Sequence, residues 1–173
     1  MDPRSGLYYN AKVVLITGGT KGIGAGIARS FLHAGAQVIV CARAAPDELP
    51  QAGSAQAVFI ACDVRDLESV RALFERIRAD FGRLDVLINN AGGSPATEAA
   101  SASPRFHESI IRLNLIAPLN VAQQANALMQ QQDEGGCIVF IGSISALRAS
   151  PGTAAYSAAK AGVLALVQSL AVE

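Results

Sequence analysis

Short apolar runs alternate with longer amphipathic stretches along most of the chain. Apolar and β-branched runs predict five strands, at 12–18, 36–42, 57–63, 83–92 (with its turn) and 137–143. Apolar spacings of three and four residues predict helices at 22–35, 66–82, 104–132 and from 154 to the C-terminus. Strands this apolar on both faces, separated by helices, are typical of a parallel sheet that is covered on both sides. The pattern therefore predicts an α/β fold with a doubly wound parallel sheet.

The length fits one domain spanning residues 1–173. The segment 43–56, rich in Ala and Pro, separates the second and third strands, and no repeat or linker is visible. The last predicted helix runs to Glu173 without a capping residue or a closing strand. We therefore expect an incomplete fold, or a fragment of a longer protein.

Composition narrows the class of protein. The formal net charge is zero and only 16% of residues are charged, which argues against disorder and against nucleic-acid binding. The three cysteines have no metal-like spacing, and neither His33 nor His107 has a companion at ligand spacing, so we expect free thiols and no metal. The first ten residues do not resemble a signal peptide, and no apolar run reaches the roughly 18 residues of a membrane span. These features predict a soluble cytoplasmic protein.

A glycine-rich loop, TGGTKGIG at 17–24, joins the first strand to the first helix. Gly18 can turn tightly, while Gly22 and Gly24 allow a phosphate-bearing ligand and the neighbouring strand to approach closely. The helix that follows offers unpaired N–H groups and its positive dipole end to a pyrophosphate. Because the loop also lacks the Walker-type Lys-Ser/Thr ending, it favours a dinucleotide over a nucleoside triphosphate.

A tyrosine and a lysine stand four residues apart at 156 and 160. Tyr8 and Lys12 share this spacing, but an extended chain before the first strand would separate them by more than ~12 Å. Tyr156 and Lys160 begin a helix rich in alanine, where positions four apart share a face. A nearby ammonium lowers the pKa of a phenol, which brings the tyrosine closer to the range useful for general acid–base catalysis.

Several motifs in order resemble the short-chain dehydrogenase/reductase family over residues 12–173. These motifs are T-G-x-x-x-G-x-G, NNAG at 89–92, and Ser143 followed by Tyr156 and Lys160. The resemblance implies a Rossmann-like sheet that lacks its last two strands in this chain, together with the segment that covers the substrate. It implies cofactor binding by Gly18, Thr20, Lys21, Gly22, Ile23, Gly24, Arg43, Asp63, Val64, Asn90, Ala91, Gly92, Tyr156 and Lys160.

The resemblance also assigns individual roles. Asp63 and Val64, at the end of the third strand, would meet the adenine. The alternative for Asp63, which the residue taken alone favours, is a strand-end or cap carboxylate. Ser143 would hydrogen-bond the substrate oxygen. Asn114 would hold a water with its backbone carbonyl, in a helix that Pro118 is expected to disturb.

Charge at the end of the second strand favours NADP(H) over NAD(H). An NAD enzyme of this architecture usually has an acidic residue there, to bind the ribose hydroxyls. This chain has Ala42 at that position, followed by Arg43, and Lys21 lies in the glycine loop. Both cations suit a 2′-phosphate. The alternative is that both are solvated surface charges.

The resulting hypothesis is an NADP(H)-dependent reductase or dehydrogenase that acts on a small carbonyl or alcohol substrate, whose identity the sequence does not reveal. A non-catalytic dinucleotide-binding module, or an inactive fragment, is the alternative. A serine hydrolase built on Ser143 is disfavoured, because the G-x-S-x-G elbow is absent and no histidine follows. The helices at 104–132 and from 154 are apolar nearly all round, which predicts a homodimer or a homotetramer.

Overall fold

Five parallel strands form the central sheet of the computed structural model, which describes residues 8–148 and 150–173. In chain order the elements are β1 (Val13–Thr17), α1 (Gly22–His33), β2 (Gln37–Ala42), β3 (Gln51–Ala52), β4 (Ala55–Gln56), β5 (Val58–Ala61), α2 (Leu67–Phe81), β6 (Val86–Asn89), α3 (Pro104–Ile111), a π-helix (Arg112–Ile116), α4 (Ala117–Met129), β7 (Cys137–Phe140), a 3-10 helix (Ile144–Ala146) and α5 (Ala154–Leu170). The doubly wound α/β fold predicted from the sequence is confirmed.

The strand order is β5-β2-β1-β6-β7. β2 and β5 are added on one side of β1, and the chain then crosses to the other side of β1 to add β6 and β7. β1 pairs with β2 on one side, where Val14 lies opposite Val38, and with β6 on the other, where Val14 lies opposite Val86. In open parallel sheets, a crevice forms outside the carboxyl ends of the strands at such a crossing. The topology therefore places a ligand crevice beyond Thr17 and Asn89.

The core lies on both faces of the sheet. Successive residues of β1 point to opposite faces, so Leu15 belongs to the cluster beneath α2 and α4, while Val14 belongs to the cluster beneath α1. All five residues of β1 are buried, as the prediction of a doubly covered sheet requires. β5 and β7 are only partly buried, because each has a neighbouring strand on one side alone.

Local sequence explains where the helices start and stop. Asp66 caps α2 by accepting a hydrogen bond from the N–H of Glu68, and Gly82 ends it in the left-handed conformation at φ 70°. Ser103 caps α3 in the same way, accepting from Phe106, with Pro104 in the first turn.

The helix predicted at 104–132 is present from Pro104 to Met129, with the π-helix between α3 and α4 at the irregularity expected from Pro118. The last helix, predicted to reach the C-terminus, ends at Leu170. The segment 43–56, for which no element was predicted, contains a short antiparallel hairpin, β3–β4. No helix in the described part of the chain is both long enough and apolar enough to span a membrane.

Candidate active site

The glycine-rich loop packs directly against the end of β6. Gly18 has φ 63°, and its N–H donates to the carbonyl of Cys41 at 2.8 Å. The amide of Asn90 donates to the carbonyls of Thr17 at 2.9 Å and Gly18 at 3.2 Å. A Cβ at Gly24 would lie 2.4 Å from the Gly18 carbonyl oxygen, so α1 can start this close to β1 only with glycine there. Gly22, by contrast, is required by its φ of 54° and not by close contact.

Thr17 joins the ends of β1 and β6, a role that the sequence analysis missed. Its side chain is 1% exposed. Its hydroxyl accepts hydrogen bonds from the N–H groups of Asn90 and Ala91, each at 3.0 Å. A hydroxyl at the end of an otherwise apolar buried strand was the feature of the sequence that could have revealed this role.

A cleft of about 870 Å³ opens at the carboxyl ends of the strands, where the fold places it. Its wall contains fourteen of the sixteen predicted site residues: Gly18, Thr20, Lys21, Ile23, Gly24, Arg43, Asp63, Val64, Asn90, Ala91, Gly92, Ser143, Tyr156 and Lys160. Gly22 and Asn114 lie outside this wall. The structure therefore brings the glycine loop and the Ser-Tyr-Lys set to one cleft.

Lys160 is the buried member of the Ser-Tyr-Lys set. Its Nζ donates to the carbonyl of Ile141 at 2.7 Å and lies 5.9 Å from the centre of the Tyr156 ring. Burial lowers the pKa of Lys160 from its ordinary value. Within residues 8–148 and 150–173 no carboxylate pairs with it. Among the described residues, its ammonium therefore contacts the carbonyl of Ile141 and the ring of Tyr156.

Ser143 lies in the wall of the cleft, in the segment between β7 and the 3-10 helix. Its backbone is extended, and its Oγ accepts a hydrogen bond from the N–H of Ser145 at 3.2 Å. The hydroxyl proton remains available for an acceptor in the cleft, such as a carbonyl oxygen.

Asn114 lies inside the π-helix and is fully buried. Its Oδ1 accepts from the N–H of Gly93 at 2.8 Å, and its Nδ2 donates to the carbonyls of Gly93 at 3.0 Å and Ile110 at 2.9 Å. The side chain thus fastens the segment after β6 to the helix. Pro118 has no N–H and cannot donate to the Asn114 carbonyl in the usual way, consistent with the predicted irregularity.

Asp63 and Arg65 form an ion pair at the opposite end of the cleft. Nε of Arg65 donates to Oδ1 at 2.9 Å and Nη2 donates to Oδ2 at 2.6 Å. The hydrogen bond from Arg65 is the largest cause of the lowered pKa of Asp63. Arg65 was not among the predicted site residues, because only its contact with Asp63 marks it.

Positive charge predominates in the cleft wall. Lys21, Arg43, Arg65 and Lys160 line it, and Asp63 is the one acidic residue among its described members. No group of three potential metal ligands occurs in the part of the chain that the structure describes. The geometry suits an elongated anionic ligand running from Arg43 to Lys160.

Comparison with known proteins shows the family of the chain. The family model described as short chain dehydrogenase matches residues 12–173. The chain is 37% identical to an L-fucose dehydrogenase of Oryctolagus cuniculus, covering 98% of this chain and 60% of that protein. It is 33% identical to the 3-oxoacyl-(acyl-carrier-protein) reductase FabG of Chlamydia muridarum, covering 94% of this chain and 67% of that protein.

Solved structures give the same result. A short chain dehydrogenase from Mycobacterium smegmatis superimposes with a TM-score of 0.89 at 31% identity, covering 96% of this chain and 72% of that one. The chain thus spans about 60% of the length of the L-fucose dehydrogenase and 72% of the length of this structure.

Proposed function

The chain belongs to the short-chain dehydrogenase family, and from that premise we propose that it is an NADP(H)-dependent oxidoreductase acting on a carbonyl or alcohol substrate. The observation that carries the proposal is the position of Ser143, Tyr156 and Lys160 in the same cleft wall as the glycine-rich loop. The two relatives named above carry different substrates in their names, L-fucose and a 3-oxoacyl-(acyl-carrier-protein), so the proposal stops at the substrate class.

The residues present fit a bound dinucleotide. Gly18 and Gly24 line the cleft without side chains, and Lys21, the residue that precedes α1, lies in the same wall. Gly92 and Lys160 would contact the ribose of the nicotinamide half. When bound, NADP(H) supplies or accepts the hydride.

Tyr156 is proposed to give or take the proton on the substrate oxygen. The Lys160 ammonium stabilises the ionised phenol, since an opposite charge favours the charged form. Ser143 would donate a hydrogen bond to the same oxygen and stabilise the alkoxide that develops there. Asn114, through its backbone carbonyl, would hold a water near Lys160.

Charge supports NADP(H) over NAD(H). Ala42 stands where an acidic residue would bind ribose hydroxyls, and Arg43 and Lys21 lie in the same wall. A planar guanidinium can hold a phosphate through two hydrogen bonds. Arg43→Ala is therefore expected to weaken NADPH binding far more than NADH binding, and tighter binding of NADH than NADPH by the wild type would contradict the preference.

Oxidation of NADPH and NADH in the presence of a panel of ketones and aldehydes tests the activity. Tyr156→Phe should keep cofactor affinity and lose turnover, because it removes one hydroxyl and almost no volume, while Lys160→Ala should damage both. A Tyr156→Phe variant that keeps most of its turnover would refute the proposed proton donor. Cofactor binding without turnover would support the alternative, a non-catalytic binding module.

Assembly and location are proposed from surfaces and thiols. Ile116, Leu164, Val167 and Leu170 are 36–42% exposed, and such a face fits a second copy of the chain in a homodimer or a homotetramer. Val167→Glu should lower the mass measured by light scattering, and a wild-type monomer at micromolar concentration would refute the interface.

Free thiols at Cys41, Cys62 and Cys137 suit the reducing cytoplasm, which cell fractionation would test.

A further inference from the structure

Asp63, at the end of the cleft proposed for the adenosine, makes hydrogen bonds through both its carboxylate and its backbone N–H. In addition to the two side-chain hydrogen bonds from Arg65, the N–H of Arg65 donates to Oδ1 at 3.0 Å. The N–H of Asp63 itself donates to the hydroxyl of Ser69, on α2, at 3.1 Å. The backbone of Asp63 is thus fixed to α2, and its carboxylate is fixed to the guanidinium of Arg65.

This carboxylate shares the cleft wall with Lys21 and Arg43. Arg43 lies near enough to contribute to the lowered pKa of Asp63, behind the larger contribution of Arg65. Even so, neither Lys21 nor Arg43 forms an ion pair within residues 8–148 and 150–173. The carboxylate of Asp63 is therefore paired with Arg65, and Lys21 and Arg43 remain available to bind an anionic ligand.

We propose that Arg65 is a positioning residue for recognition of the 2′-phosphate: by occupying Asp63, it keeps that carboxylate from pairing with Arg43 and from repelling the phosphate. The proposal rests on the proposed preference for NADP(H) and identifies how this chain tolerates an acid beside a phosphate site. Lys21 and Arg43 are the direct phosphate ligands, and Arg65 acts through Asp63.

The physical basis is a change of partner. Without Arg65, the carboxylate of Asp63 would be an unpaired acid whose nearest available cation is Arg43. Pairing between them would draw Arg43 away from an incoming phosphate, and the remaining negative charge would repel a phosphate that is itself close to doubly charged. A ligand without the 2′-phosphate would be affected little, because it needs neither cation at that position.

Two nucleotide fragments isolate this effect, since they bind only the adenosine end and need no turnover. The probes are adenosine 2′,5′-bisphosphate and adenosine 5′-monophosphate, which differ only in the 2′-phosphate, and calorimetry on the whole chain measures both dissociation constants. Arg65→Gln should weaken binding of the bisphosphate by about fivefold or more and that of the monophosphate by less than about twofold. The double variant Asp63→Asn/Arg65→Gln should restore the ratio of the two dissociation constants to within about twofold of the wild-type ratio, since the loss of any adenine contact of Asp63 would weaken both probes alike.

Arg76→Gln is the matched control, because Arg76 also pairs with a carboxylate, Asp80, but on the exposed face of α2. It should change neither dissociation constant. Equal weakening of both probes by Arg65→Gln, no weakening of either, or no recovery in the double variant would each overturn the proposal.

Failure of the proposed NADP(H) preference gives a different result. In that case the wild type itself would bind the monophosphate as tightly as the bisphosphate. Failure of the role of Arg65 alone would instead leave the wild type binding the bisphosphate more tightly than the monophosphate, with Arg65→Gln unchanged for both probes.

Discussion

The Nζ of Lys160 lies 2.7 Å from the main-chain oxygen of Ile141, so the middle of α5 is joined to the residue that follows β7. This hydrogen bond fixes the side chain of Lys160 against the carboxyl end of β7. Tyr156, one turn earlier on the same helix, is thereby placed with its ring centre 5.9 Å from the ammonium. The four-residue spacing of Tyr156 and Lys160 in the sequence therefore places both side chains in the same wall of the cleft.

The burial of Lys160 predicts a dependence of stability on pH. Its pKa in the folded chain is lowered from 10.5 by burial, so the unfolded chain binds this proton more tightly. Between the lowered pKa and 10.5 the unfolded state carries more protons, and the free energy of unfolding rises with pH through this group. The difference in unfolding free energy between the wild type and Lys160→Met should therefore increase in favour of the wild type as pH rises towards 10.5. Urea unfolding at several pH values measures this difference, and a constant difference would contradict the prediction.

Gly92 should not tolerate a side chain. A Cβ at this position would lie 2.7 Å from the Oδ1 of Asn114 and 3.6 Å from the Nζ of Lys160. Gly92→Ala is expected to lower the free energy of unfolding by about 1–3 kcal/mol, because Asn114 is buried and held by Gly93 and Ile110. Gly26→Ala is the matched control, since nothing lies within 4 Å of its Cβ inside α1, and it should raise stability by up to about 1 kcal/mol. Equal effects of the two substitutions in thermal unfolding would be inconsistent with this contact.

Thr17 allows a test that changes chemistry at nearly constant shape. Thr17→Val keeps the packing but leaves the N–H groups of Asn90 and Ala91 without their acceptor, at an expected cost of about 2–5 kcal/mol. Thr17→Ser keeps the hydroxyl and loses one methyl group, so its cost should be about 1 kcal/mol. Chemical denaturation of both variants measures the comparison. If Thr17→Ser proves the more damaging of the two, packing and not hydrogen bonding holds these strand ends together.

Asp85, which precedes β6 at the amino ends of the strands, should govern stability in acid. Burial raises its pKa, but hydrogen bonds from Arg83, the N–H of Val13 and Lys12 outweigh that effect and leave the pKa below 3.8. The stabilisation is therefore present above pH 3.8 and is lost as pH falls through the lower, folded value. Asp85→Asn should cost about 1–3 kcal/mol at pH 7, and the gap to the wild type should close in acid.

The control for this prediction is Glu134→Gln. Glu134 pairs with the same Lys12 but is 69% exposed, so solvent screens it and its loss should matter much less. If the difference in unfolding free energy between the wild type and Asp85→Asn stays constant as pH falls, Asp85 does not govern stability in acid.

The sheet was predictable because its strands are apolar and nearly continuous. β1 is buried along its whole length, so Val13 to Ile16 could be recognised without knowing their neighbours. The hairpin β3–β4 has two residues in each strand and is largely exposed, so no alternation in the sequence marked it. The irregularity near Asn114 was expected from Pro118, but its extent depends on the contact between Asn114 and Gly93, which lie 21 positions apart.

The site was predictable where its residues follow strands and motifs, and less so where it depends on contacts. Tyr156 and Lys160 were recognised by their spacing on a helix. Thr17 and Arg65 were missed, because their importance lies in the groups that they touch. The ion pair of Asp63 with Arg65 is one such contact, and neither interpretation of Asp63 from the sequence included it.

The hydrogen bond between Thr17 and Asn90 spans 73 positions of sequence and therefore forms only after a large loop has closed. The cleft is thus a property of the completed sheet, and an intermediate that contains only β1, α1 and β2 has no complete place for a nucleotide. A dinucleotide that binds the finished fold alone would stabilise it by about 2.7 kcal/mol at a hundred times its dissociation constant. The concentration of nucleotide in the cell would then help to set how often this chain opens to proteases, and so how long each copy survives.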